Sequence, residues 1–142
     1  MIHVWTDGAC HPNPGNGGWG WTRSDGEEAW GGEAETTNNR MELLAIIYAL
    51  ERLPDDASGV LYSDSRYCVD GANAWMFSWA RREWPAKIKN TDLWRRLYEQ
   101  RRRQPGMNIR WVRGHAHNPG NERADALAEK GRIYVAEVSA AL

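Results

Sequence analysis

Cysteine is scarce in this chain: only Cys10 and Cys68 occur, with no Cys-x-x-Cys pair and no paired histidines beside them. A structural zinc site needs about four such ligands at set spacing, so none is expected, and both cysteines read as reduced thiols. No run of roughly 18 apolar residues exists, so no membrane span is expected. The opening Met1-Ile2-His3-Val4-Trp5-Thr6-Asp7 has neither a basic leader nor an apolar core segment. It does not read as a signal peptide, and the cytoplasm is the expected location. The stretch Ala9–Gly18 is rich in glycine, proline and asparagine but lacks the Gly-Lys-Ser/Thr ending of a phosphate-binding loop. A nucleotide triphosphate site is therefore not expected there. Net charge is also lacking, at −1, which by itself argues weakly against a nucleic-acid partner.

What is present changes that picture. The 142 residues, 42% of them hydrophobic, fit one domain spanning residues 1–142. Charge is strongly polarised along the chain. Residues 81–103 hold nine of the 18 basic residues against three acids, a balance of +6. The remainder, nine bases against 16 acids, stands at −7. An acidic part of that size is suited to a cation site.

Alternating polarity predicts a strand from Ile2 that ends at Asp7-Gly8, followed by a turn-rich loop over residues 9–18. Trp19, Trp21 and Arg23, then Glu28, Trp30 and Gly32, predict two strands joined by a turn at Ser24-Asp25-Gly26. Residues 38–53 predict a helix with Asn38 or Asn39 as its cap and Pro54 as its stop. Gly59–Asp64 reads as a short strand, again ending in aspartate, and residues 65–83 and 91–103 read as helical. Residues 107–113 alternate as a fifth strand, and a final helix is predicted from about Pro119 to Lys130. This order implies an α/β fold in which a hairpin and parallel strands share one mixed sheet with helices packed on it.

Ligands in such sheets gather at the carboxyl ends of the strands. Two predicted strands end in aspartate, Asp7 and Asp64. Glu42 interrupts an apolar helix in its first turn, and Asp125 lies beside the core stripe of the last helix. Each acid alone has an ordinary explanation as a turn former, helix-start charge or solvated residue. Brought together, four carboxylates repel one another unless cations sit among them, and oxygen-only ligands suit Mg²⁺ or Mn²⁺.

Five strings of residues then converge on one family: Thr6-Asp7-Gly8-Ala9-Cys10 with Asn13-Pro14-Gly15; Thr36-Thr37-Asn38-Asn39-Arg40-Met41-Glu42; Ser63-Asp64-Ser65; Asn90-Thr91-Asp92-Leu93-Trp94; and Trp111-Val112-Arg113-Gly114-His115-Ala116 with Asn121-Glu122-Arg123-Ala124-Asp125. In this order they resemble bacterial type 1 ribonuclease H over nearly the whole chain. The resemblance implies the ribonuclease H-like fold, a five-stranded mixed sheet with helices on both faces. It also implies an endoribonuclease that hydrolyses the RNA strand of RNA–DNA hybrids with two Mg²⁺ ions, or Mn²⁺ in their place, leaving 5′-phosphate and 3′-hydroxyl ends.

By the same resemblance Asp7, Glu42, Asp64 and Asp125 are the metal ligands, and His115 assists proton transfer or product release. His117, two residues on, is its rival on composition alone. Contacts to the RNA strand are implied for Cys10, Asn13 and Asn38, together with Glu42. Contacts to the DNA strand are implied for Thr37, Asn39 and Trp75. Of the basic segment, Arg81, Arg82, Lys87 and Lys89 are the expected phosphate contacts, whereas Arg101, Arg102 and Arg103 suit a helix C-terminus. Trp79, Trp94 and Trp111 are expected in or at the margin of the core. Two departures from the family stand out: Arg66 and Asp70 occupy positions where glutamine is common, and the loop between Trp84 and Asn90 is short. A monomer is expected. The main alternative is a module that binds hybrids without cutting them.

Overall fold

The computed structural model describes residues 1–142. Strands β1 (Ile2–Cys10), β2 (Gly15–Arg23) and β3 (Glu28–Thr36) form an antiparallel meander, and β4 (Gly59–Ser63) and β5 (Met107–Trp111) extend it in parallel. The sheet order is β3-β2-β1-β4-β5. Each parallel pairing needs a crossover, since two parallel strands cannot be joined by a tight turn. Helix α1 (Asn38–Glu51) supplies the first. The second runs through α2 (Arg66–Asp70), a π-helical turn (Gly71–Trp75), α3 (Met76–Arg81) and α4 (Thr91–Arg103). Helix α5 (Pro119–Ala141) closes the chain.

The two faces of the sheet are covered differently. Helix α1 is almost wholly buried, with Met41, Leu43, Leu44, Ile46, Ile47 and Leu50 packed into one core with Trp94 and Leu97 of α4. Helix α5 lies across the strands of the meander. It approaches so closely that a Cβ on Gly131 would strike the backbone of Gly31 and come within 3.3 Å of Gly18 Cα. Gly18 and Gly20 of β2 and Gly32 of β3 likewise leave no room for a Cβ against α5. The stretch at Gly15–Gly18, expected as loop, is strand because it pairs with β1 and β3, and Gly18 lets α5 lie on it.

Several boundaries differ from the sequence reading for identifiable reasons. β1 does not end at Asp7; it continues to Cys10 because Gly8, Ala9 and Cys10 pair with Trp19, Gly18 and Gly17 of β2. The loop shrinks to residues 11–14. The cap of α1 is neither Asn38 nor Asn39 but Thr37, whose hydroxyl accepts from the Arg40 N–H at 3.2 Å. The Asn38 N–H instead donates to the side chain of Asn13 at 3.1 Å, tying the short loop to the helix start. β5 stops at Trp111, two residues early, and α5 runs eleven residues past Lys130 to Ala141. That extension carries exposed Ile133, Tyr134 and Val138, so it lacks the apolar stripe by which a buried helix is read. Both cysteines are free. No helix is long and apolar enough to cross a membrane.

Candidate active site

Strand order places β1 and β4 side by side at the centre of the sheet, so acids on them meet without any sequence proximity. Asp7 lies within β1, three residues before its end, and Asp64 follows the last residue of β4. Helix α1 adds Glu42 from its first turns. It can do so because residue 8 is glycine: a Cβ there would collide with the backbone at Met41 and Glu42. The Gly8 N–H donates to Glu42 Oε1 at 2.5 Å. Asp7, Glu42 and Asp64 each present an oxygen within 4.8 Å of the others. Asp125 stands at the exposed rim, outside that trio but lining the same cavity of about 290 Å³ with Gly8, Asn38, Ser65 and His115.

The electrostatics are those of charge held without compensation. Asp7 and Glu42 are 5% and 4% exposed, with no lysine or arginine paired to either. Burial, then the repulsion of Glu42 and Asp64, pushes the Asp7 carboxyl up to about 11. Glu42 is raised to about 7, chiefly by burial. Asp64 is raised by burial too, offset in part by hydrogen bonding to Asp7 and by the nearby His115. Without a cation, therefore, the cluster keeps a proton on Asp7 and shares it with its neighbours. Glu42 Oε2 is buried and has no partner, a costly state for a carboxylate oxygen. The donor set is oxygen only. A hard divalent cation would satisfy the orphan oxygen, offset the repulsion that raises the acids and suit an oxygen-only donor set.

The remaining candidates fall into two groups. Asn13, Thr37 and Asn38 meet at the start of α1, with Cys10 close by, its thiol directed at the Thr36 and Gly15 carbonyls. Asn39 is exposed on the same turn. Trp75, 41% exposed, lines a second cavity of about 320 Å³ with Tyr67, Trp79, Ile88, Lys87 and Lys89. Arg81 and Arg82 are exposed at the end of α3 but do not line it. Arg103 and Arg101 are structural: the first donates to the Leu50 and Leu53 carbonyls and pairs with Asp55, and the second donates to the Met107 carbonyl. Trp94 is fully buried and Trp79 packs against the core. Trp111, expected at the core margin, is instead 38% exposed, because β5 is an edge strand; its indole N–H donates to the Asp64 carbonyl. Ser65 enters the sequence reading only as part of the Ser63-Asp64-Ser65 string, with no role of its own. It caps α2 through the Cys68 N–H and so holds the turn that aims Asp64.

The RNase H family model matches residues 1–133. A ribonuclease H of Pseudomonas putida strain W619 is 48% identical, with 92% of each chain covered. One from Alcanivorax borkumensis strain SK2 is 50% identical, covering 92% of this chain and 90% of that one. Among solved structures, LC9-RNase H1, described as a type 1 RNase H with the type 2 active-site motif, superposes with a TM-score of 0.83 at 30% identity. That match covers 94% of this chain and 72% of the other. A foamy viral protease-reverse transcriptase in complex with an RNA/DNA hybrid shares the fold, with a TM-score of 0.81 at 18% identity over 94% of this chain and 20% of that one. The fold and the acidic site define a nuclease of the divalent-metal-dependent kind, and this chain belongs to the ribonuclease H family. It is a ribonuclease H enzyme.

Proposed function

We propose that this enzyme hydrolyses the RNA strand of RNA–DNA hybrids using two Mg²⁺ ions, with Mn²⁺ as a possible replacement, and leaves 5′-phosphate and 3′-hydroxyl ends. The observation that carries the reading is the trio Asp7, Glu42 and Asp64, three oxygen donors within 4.8 Å and short of positive charge. Asp7, Glu42, Asp64 and Asp125 would hold the ions. When bound, the ions supply Lewis-acid stabilisation of the phosphate and a water acidic enough to attack near neutral pH.

The chain's own groups do the rest. The Gly8 N–H and the α1 backbone hold Glu42 in place, so the ligand set is preorganised before substrate arrives. His115 stands at the mouth of the cavity beside Asp64, where an imidazole can take a proton from a reacting water or give one to the leaving oxygen. Asn38, Asn13 and the backbone at Cys10 offer both donors and acceptors, the pairing needed to recognise a 2′-hydroxyl. Thr37, Asn39, Trp75, Arg81, Arg82, Lys87 and Lys89 then take the DNA strand, Trp75 by its exposed ring and the cations at phosphates. The enzyme acts as a monomer in the cytoplasm.

The test is cleavage of an end-labelled RNA–DNA hybrid beside duplex RNA, duplex DNA and single-stranded RNA, with Mg²⁺ or EDTA. Cutting confined to the RNA of the hybrid, and lost in EDTA, is the expected result. Tight hybrid binding without cutting would convert the reading to a binding module.

A further inference from the structure

Seven arginines of this chain are committed to carboxylates. Arg66 is not. It is exposed, one residue from Ser65 in the lining of the carboxylate cavity, with no ion pair and no hydrogen bond to the protein. Yet it is not loose. Its guanidinium lies 4.0 Å from the centroid of the Trp111 ring. The Trp111 indole N–H donates in turn to the Asp64 carbonyl at 3.1 Å, so the cation is fixed to the backbone that carries a carboxylate of the site.

The chemistry of this arrangement is specific. Seated over the ring, the guanidinium keeps its five N–H donors with no protein acceptor. An arginine held over an aromatic ring and unpaired is preorganised for a phosphate, which it can grip through two parallel hydrogen bonds. The location needs such a group. A polyanionic strand that enters the cavity meets several carboxylates, and the basic candidates of residues 81–89 belong to a different segment from this edge of the sheet. We infer that Arg66, seated on Trp111, binds a backbone phosphate of the RNA strand on the Asp64 side of the site. This rests on the hybrid-cleavage reading above and adds a phosphate contact to it.

The experiment is equilibrium binding of a fluorescent RNA–DNA hybrid in EDTA, where no cutting occurs, across a salt series, with cleavage kinetics in Mg²⁺ alongside. Arg66→Gln should weaken binding about tenfold at low salt and flatten the slope of log affinity against log salt by about 0.9, one phosphate contact. The loss in cleavage should fall mainly on KM. Arg66→Lys keeps the charge and should restore the slope, but only part of the affinity, because an ammonium cannot stack or grip bidentately. Arg52→Gln, an unpaired arginine at the far end of α1, should change neither. An unaltered slope in Arg66→Gln would overturn the proposal, as would Arg66→Lys behaving like Arg66→Gln, or a change confined to cut-site preference. If the native chain binds hybrids but never cuts them, the cleavage reading fails independently of these slopes.

Discussion

The carboxylate end of β1 and β4 and the basic segment of residues 81–103 handle charge in opposite ways. The acids are few, buried and left without counter-charge, so Asp7 and Glu42 are driven far from their ordinary titration range. The bases are many and on the surface, and much of their charge is already answered: Arg96 by Glu51, Arg102 by Glu99, Arg103 by Asp55. Formal charge therefore ranks the two regions wrongly. Three acids that the fold cannot neutralise bear more directly on function than nine bases of which several serve packing.

The sharpest way to break this comparison is to remove a carboxylate. Asp64→Asn should cut hybrid cleavage about a thousandfold or more, the several kcal/mol that a metal clamp supplies. A loss under tenfold would mean the cluster is not the reacting centre. His115→Ala should be next, at about a hundredfold in kcat if it moves a proton. On the basic side, the double change Lys87→Gln with Lys89→Gln should weaken hybrid binding roughly tenfold. It should also flatten the salt slope by about 1.8, while Mg²⁺ affinity stays the same.

Stability should respond to pH with the sign the buried acids dictate. A carboxyl whose pKa is raised on folding stabilises the native state below its ordinary range, and that contribution is lost as pH climbs through its folded value. In EDTA the Tm should thus fall between pH 5 and 9, through the Glu42 value of about 7 and toward the Asp7 value of about 11. Saturating Mg²⁺ should remove most of the slope by taking the proton's place. Asp7→Asn should raise the metal-free Tm by roughly 3 °C while abolishing the Mg²⁺ shift. A flat metal-free profile in calorimetry would contradict the uncompensated cluster. The smallest effects belong to the surface pairs. Arg102→Ala should cost under about 0.5 kcal/mol, its partner being as exposed as itself. Arg103→Ala should cost about 1–2 kcal/mol in urea unfolding, because two carbonyls at the end of α1 lose their donor.

Much of this was present in local patterns. Alternation marked the strands, the Asn38–Leu53 periodicity marked α1, and the turn at Ser24-Asp25-Gly26 marked the hairpin, because each is enforced by neighbours in the chain. The acids themselves were visible as polar residues in places where apolar ones were expected. What local pattern could not reveal was decided by long-range pairing and packing. Gly15–Gly18 looked like a loop because glycine disfavours strands. It is strand because it pairs with β1 and β3, and at Gly18 it takes the close approach of α5, more than a hundred residues away in sequence. Thr37, not an asparagine, caps α1 by accepting from the Arg40 N–H, while the Asn38 N–H donates across the loop to the Asn13 side chain.

The site divides in the same manner. The residue types at positions 7, 42, 64 and 125 are properties of the sequence, and so is the family to which their spacing points. Their distances are not. Only the order β3-β2-β1-β4-β5 puts Asp7 beside Asp64, and only the glycine at position 8 lets α1 descend far enough to add Glu42. The exposure of Trp111 and the seat it gives Arg66 follow from β5 being an edge, which no local pattern announces. Sequence chose the chemistry, because side-chain identity is local. Tertiary structure chose the geometry and the raised acidities, because burial and charge proximity are properties of the whole packed chain.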